Sequence, residues 1–190
     1  MTIPASSDDA KQAGGEDLIL VDASDRVVGY LDKERCHDGG GHLHRAFSIF
    51  LRDERGRVVL QQRSAGKRLW AGYWSNSVCS HPRRGESTAE AAQRRLLEEL
   101  GVSLPLRFLF RFRYHASCAD RGSEHELCSV YWGRLAGEPL RPDPGEIAGL
   151  RRLEPEALTQ ALRDDPEAFT PWLQLAWRRI REEHAALLEA

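Results

Sequence analysis

The chain has 190 residues, enough for one domain with a real core and too few for two comfortable ones. Hydrophobic residues at 41% and charged residues at 29% are ordinary globular usage, which excludes wholesale disorder, and a net charge of -2 excludes nucleic-acid binding driven by bulk charge. No apolar run approaches the ~20 residues of a membrane helix, the first residues lack the basic start and apolar core of a secretory signal, and Cys36, Cys79, Cys118 and Cys128 form no CxxC pair, so reduced thiols in a cytoplasmic protein are expected.

Residues 1 to 15 are small, polar and acidic and end in Gly14-Gly15, which predicts a disordered tail before a single domain over 16–190. Asp17–Val21 and Val27–Leu31 flank a polar turn and read as strand, turn, strand. His44–Leu51 and Val58–Gln62 repeat that pattern around Asp53-Glu54-Arg55-Gly56. Ala65 to Gly85 is rich in Gly, Trp, Ser and Asn and has neither period, and a loop of such length in a compact domain usually carries function. Ser87-Thr88-Ala89-Glu90 is a capping box, and Gly101 sits where a left-handed C-terminal residue belongs. Between them Ala89, Ala92, Leu96 and Leu100 make an apolar stripe at helical spacing. Arg107–Tyr114 alternates, which predicts Phe108, Phe110, Phe112 and Tyr114 on one strand face. Glu126–Arg134 reads as another strand, followed by a loop with Pro139, Pro142 and Pro144 and a helical stretch near Pro155–Arg163. Thr170 can cap a terminal helix with Pro171 in its first turn. Strand pairs interleaved with helices predict a mixed α+β sandwich.

Some residues stand out against that frame. Glu98 and Glu99 occupy the last turn of the capped helix, where the macrodipole disfavours anions by about 0.3–1 kcal/mol, so either a bound cation or a solvated charged face is implied. His37, His42, His44 and His81, with Glu124 and Glu126 two apart, supply enough N and O donors for a divalent transition metal, although scattered surface histidines are the plainer reading. Lysine occurs only at 11, 33 and 67, and Arg63 and Lys67 stand just before Trp70, where they either hold a phosphate or decorate the surface. Trp172 lies roughly 100° around its helix from Leu173, which starts the stripe through Trp177 and Ile180, so its indole faces either a cavity or the core. The last stretch, Arg181–Ala190, is open between a surface helix and a partner contact.

Trp74-Ser75-Asn76-Ser77-Val78-Cys79-Ser80-His81-Pro82, together with the helix ending Arg94-Arg95-Leu96-Leu97-Glu98-Glu99-Leu100-Gly101-Val102, closely resembles the type I isopentenyl-diphosphate isomerases. The likeness runs from about Asp17 to about Trp177 and includes Lys33 with His37, the strand start at His44, Lys67 through Trp74, Phe112-Arg113-Tyr114, Glu124 through Cys128, and Thr170-Pro171-Trp172. The helix is a degenerate form of the Nudix motif of many diphosphate-cleaving enzymes. The general pattern has Gly at Ser80 and Glu at Arg95; this chain keeps Glu86, Arg94, Glu98 and Glu99 but has exchanged one helix carboxylate for a cation. That exchange suits holding a diphosphate better than cutting it.

The resemblance implies a Nudix-like α/β/α sandwich with a mixed sheet and an added C-terminal helix. It also implies interconversion of isopentenyl diphosphate and dimethylallyl diphosphate through a tertiary carbocation. Carried over, His37, His44, His81, Glu124 and Glu126 become ligands of Mn²⁺ or Zn²⁺, and Glu99 with the Cys79 carbonyl holds Mg²⁺ on the diphosphate. Lys33, Arg63, Lys67 and Arg95 would clamp the phosphates, Cys79 and Glu126 would move protons, Tyr114 would assist Glu126, and Trp172 would face the cation. The implied partner is a small isoprenoid diphosphate, not nucleic acid or membrane. A Nudix hydrolase and a non-catalytic metal-stabilised module are the competing readings.

Overall fold

Strands β1 (Asp17–Val21) and β2 (Val27–Asp32) pair antiparallel around a turn in which the Asp22 carboxylate accepts from the Ser24 and Arg26 amides. The structure, a computed structural model, describes residues 17–189, and the tail expected over 1–15 lies outside the described residues. A single turn, α1 (Lys33–Cys36), is capped by the Asp32 carboxylate and leads to β3 (His44–Arg52) and β4 (Val58–Arg63). The segment from Ala65 to Gly85, read as strandless, holds two short strands, β5 (Trp74–Asn76) and β6 (Val78–Ser80). Three residues are too few for alternation to register, and partners create both: β5 lies on Leu60–Gln62 of β4, and β6 on Phe47–Ile49 of β3.

Helix α2 (Thr88–Leu100) is capped as the sequence predicts: Ser87 and Glu90 exchange side-chain bonds to each other's amides, and Gly101 takes φ 70° past the last turn. Its buried stripe is Ala91, Ala92, Leu96, Glu99 and Leu100. Ala89, expected on that stripe, is exposed because it sits in the first turn beside the solvated capping pair. Strands β7 (Arg107–Ser117) and β8 (Ser123–Arg134) form a long hairpin with a bulge between Phe108 and Phe110. The extra residue turns Phe108 onto the opposite face, 49% exposed against Tyr131, so three aromatics rather than four share a face: Phe110, Phe112 and Tyr114. Strand β9 (Ile147–Leu153), read as part of a proline-rich loop, pairs with β4; its Gly149 and Arg151-Arg152 hide any apolar alternation.

Helices α3 (Pro155–Asp164), α4 (Pro171–Glu183) and α5 (Ala186–Glu189) complete the chain. Thr170 stands at the N-cap of α4 without capping it by its side chain, because its hydroxyl is taken by Ser75 Oγ at 3.0 Å. The C-terminal stretch docks on its own chain, where Arg52 donates to the Leu187 and Leu188 carbonyls at 2.7 and 2.9 Å.

β3 is the spine of the sheet. One edge runs parallel with β8 from His44↔Glu126 to Arg52↔Arg134; the other meets β1, β6 and β4 in succession, all antiparallel. Both faces are covered, which accounts for its near-continuous apolar sequence. Phe47, Ile49 and Leu51 pack under α2, while Phe50 faces Val130, Leu173 and Trp177 on the α4 side. This is the expected α+β sandwich with a mixed sheet and an added C-terminal helix.

Candidate active site

Strand parity puts His44, Ala46, Ser48 and Phe50 on the α4 side of β3. Register then sets their neighbours: Cys79 of β6 lies opposite Ser48, and Glu126 of β8 lies opposite His44. Tyr114 of β7 is opposite Glu126 in turn. Alternation from these anchors brings in His81 and Glu124. The result is a cavity of about 300 Å³, whose lining includes Lys33, His37, Arg63, Lys67, Cys79, His81, Arg95, Tyr114, Glu124, Glu126 and Trp172.

One wall is a group of nitrogen and oxygen donors. Ligand atoms of His37, His44, His81 and Glu124 all lie within 4.8 Å of one another. Glu126 joins them, with Oε1 at 3.1 Å from His81 Nε2 and 3.8 Å from His44 Nε2. His37 Nδ1 faces the Lys33 carbonyl at 2.5 Å and His44 Nδ1 the His42 carbonyl at 2.7 Å, so in both rings Nδ1 carries the proton and Nε2 offers a lone pair. His37 Nε2 is 2.8 Å from Glu124 Oε2, yet these two atoms and His44 Nε2 are buried without a hydrogen bond. Burial holds His44 down at about 4 and His81 well below the usual imidazole range, keeping both neutral as ligands must be. Burial, reinforced by the Glu124 charge, pushes the Glu126 carboxyl well up. Orphaned donors of this chemistry fit a divalent transition metal. Three of the four histidines are gathered rather than scattered over the surface: His37, His44 and His81 meet at ring-centroid distances of 4.8–5.3 Å, while His42 is exposed and stands outside the group.

The other wall is built around a thiol. Trp172, 3% exposed, points its Nε1–H at Cys79 Sγ and at Ser75 Oγ, each 3.0 Å away, so this indole lines the cavity instead of joining the stripe of Leu173, Trp177 and Ile180. Trp70 meets Trp172 edge-on at 5.2 Å, and the Arg63 guanidinium stands 5.3 Å from the Trp172 ring. Burial pushes the Cys79 thiol up to about 11. Tyr114 donates to Glu126 Oε2 at 2.8 Å and closes the gap between the walls.

The cations at the mouth are less free than the sequence suggests. Arg63 gives Nε and Nη2 to the carbonyls of Leu69 and Trp70. Lys67 and Arg95 are both bonded to Glu146, which no sequence pattern marks as a site residue. Glu146 precedes the unrecognised strand β9 and carries no motif. Glu99 is 1% exposed and bonded to Arg95 Nη2 at 2.7 Å, whereas Glu98 is open to solvent and paired with Arg94 and Arg95. The two glutamates therefore answer differently: Glu98 is the charged face, and Glu99 is a buried partner of Arg95. Burial pushes the Glu99 carboxyl up to about 7 in spite of Arg95, which Glu98 and Glu146 share, so its charge is only partly matched; Glu99 itself stands outside the residues lining the cavity. Cys36, Cys79, Cys118 and Cys128 are all unpaired. No helix among the described residues is long and apolar enough to cross a membrane.

A profile of the NUDIX domain matches residues 42–173. The chain is 46% identical over 157 residues to the isopentenyl-diphosphate Delta-isomerase of Serratia proteamaculans, covering 83% of this chain and 87% of that one. It is 39% identical over 171 residues to isopentenyl-diphosphate Delta-isomerase 1 of Photorhabdus laumondii, covering 89% and 97%. Among solved structures, a protein of Deinococcus radiodurans superposes with a TM-score of 0.71 at 28% identity, over 86% of this chain and 98% of that one. A MutT protein of Methanosarcina mazei shares the fold at a TM-score of 0.61, with 17% identity and coverage of 75% and 95%.

Proposed function

This chain belongs to the isopentenyl-diphosphate Delta-isomerases of the NUDIX fold, and from that membership we propose how residues 16–190, acting as one catalytic domain, interconvert isopentenyl diphosphate and dimethylallyl diphosphate. Moving the double bond adds a proton to one carbon and removes one from another. An unactivated alkene is a poor base, and the tertiary cation between the two steps is trapped by any nearby water. The reaction needs an acid and a base reaching one dry pocket from different sides.

The observation that carries the proposal is that Cys79 and Glu126, from strands on opposite edges of β3, line the same cavity. Cys79 and Glu126 are the two proton-handling groups. Tyr114, donating to Glu126 Oε2, holds one carboxyl oxygen and leaves the other for its partners. Leu69, Trp70, Tyr114 and Trp172 are each at most 7% exposed and keep water out. Trp172 supports the cation by its π face, an effect of about 2 kcal/mol in a desolvated site, on a ring that Arg63 already approaches. Lys33, Arg63, Lys67 and Arg95 hold the diphosphate, for which Lys67 and Arg95 exchange Glu146. Mn²⁺ or Zn²⁺ bound by His37, His44, His81, Glu124 and Glu126 would supply a Lewis acid that orients Glu126 and tunes its acidity. Glu99 and the Cys79 carbonyl would hold Mg²⁺, which would share the charge of the diphosphate; an under-matched, buried carboxylate supports that reading.

The test is deuterium incorporation from D₂O into isopentenyl diphosphate with phosphate release followed in parallel. Exchange without release is expected. Release without exchange would replace the isomerase by a hydrolase, and metal-dependent stabilisation with neither would leave a binding module.

A further inference from the structure

Asn76 is fully buried at the corner between β5 and β6, and nothing in the proton-handling scheme uses it. Its Nδ2 donates to the Ile49 carbonyl at 3.1 Å and the Val78 carbonyl at 2.9 Å. Turning the amide over would aim its oxygen at two carbonyl oxygens, so the orientation is set by the network and Oδ1 is left as a pure acceptor. That acceptor lies 3.0 Å from Cys79 Sγ. From another direction the Trp172 indole N–H donates to the same sulfur, also at 3.0 Å, with Ser75 Oγ at 3.4 Å. The corner itself is fixed: Ser77 Oγ donates to the Val59 carbonyl at 2.7 Å and accepts from the Leu51 amide at 2.8 Å, tying β4 to β3.

We propose that Asn76 is a positioning residue for the isomerisation: it accepts the S–H of resting Cys79 while Trp172 donates to the sulfur, and this clamp holds the sulfur in the rotamer that faces the cavity, the S–H turning from Oδ1 to the substrate when the proton is given. An acceptor on one side and a donor on the other favour one rotamer of the sulfur, and Ser75 Oγ, which also reaches Asn76 Oδ1 at 3.3 Å, closes the same ring of contacts. The inference rests on the reading that Cys79 handles a proton, and it explains why a buried asparagine whose donors serve only backbone carbonyls sits three residues before the thiol.

The experiment reads the thiol directly. In infrared spectra of the wild-type protein, the S–H stretching band that disappears in Cys79→Ala should lie below that of Cys128, whose sulfur is 3.5 Å from Ser48 Oγ. In Asn76→Ala the Cys79 band should rise in frequency, and kcat should fall by about tenfold or more with KM within about twofold, the split expected when orientation rather than binding is lost. A Cys79 band at or above that of Cys128 in the wild type overturns the inference even if Asn76→Ala fails to fold. So does an unmoved band in the variant, or a loss carried by KM alone. Undiminished D₂O exchange in Cys79→Ala would sink the proton-handling reading itself. Lost exchange in Cys79→Ala with full turnover in Asn76→Ala would sink only the role of Asn76.

Discussion

Ser75, Asn76, Cys79, Thr170 and Trp172 bond to one another until no buried polar atom among them is left over, whereas His37 Nε2, His44 Nε2 and Glu124 Oε2 on the other wall are buried with no hydrogen bond. An unmet buried polar group costs about 1–3 kcal/mol, so a chain that keeps three of them together is shaped for something that is not part of the chain. The thiol wall is finished by folding. The imidazole wall is shaped to be completed by a ligand, and the two should respond to different perturbations.

Chelation should produce the largest difference. Stripping divalent metal should abolish D₂O exchange and lower the melting temperature, and Mg²⁺ together with Mn²⁺ or Zn²⁺ should restore both; turnover that survives a chelator removes the distinction between the walls. Next come the proton carriers. Cys79→Ser and Glu126→Gln should each cost about 10²–10⁴ in turnover, and a loss within about tenfold, or roughly 1.4 kcal/mol, would dismiss that residue from the chemistry.

The mouth of the cavity lies between the two cases, because Lys67 and Arg95 are satisfied by a carboxylate that a diphosphate held by them would displace. Burial raises the Glu146 carboxyl, but Lys67 and then Arg95 outweigh it and hold it at about 2. A carboxylate held below its unfolded value stabilises the fold above about pH 4.5, and the gain is lost as pH falls towards 2. Glu146→Gln should therefore flatten the acid limb of the unfolding free energy against pH, followed by urea titration, by roughly 2–3 kcal/mol, after allowance for partial exposure. Inorganic pyrophosphate should bind the variant more tightly; an unchanged acid limb would remove Glu146 as the counter-ion. The smallest effect separates two uses of one side chain. Trp172→Ala should cost about 2 kcal/mol, and Trp172→Phe, which keeps a ring and loses the N–H to Cys79, should cost less. Equal losses in initial rates would assign the indole's contribution to its hydrogen bond and packing.

Much of the frame was legible in advance because its signals are local. Ser87, Glu90 and Gly101 specify both ends of α2 through contacts within a few residues, and β3, β4, β7 and β8 are long enough for their apolar pattern to register. What escaped is what depends on partners. β5 and β6 exist through β4 and β3, the bulge before Phe110 is a matter of register, and Glu146 meets Lys67 and Arg95 only after β9 has paired. At the site, the donor residues were visible as residue types, and their convergence came from resemblance rather than from spacing, since His37, His81 and Glu124 are brought together by three separate elements. The hydroxyl of Thr170 stands where a helix cap belongs and serves Ser75 instead, a choice no local pattern encodes.

The parallel union of β3 with β8 has a kinetic consequence. His44 and Glu126 are about 80 positions apart, and the entropy of closing that loop must be met before the nine paired positions return anything. The centre of the sheet should therefore be a slow, non-local step, and the full donor set, with Glu124 and Glu126 from β8, cannot assemble before it; a metal bound there would hold the two strands together, and so should slow unfolding more than it speeds refolding.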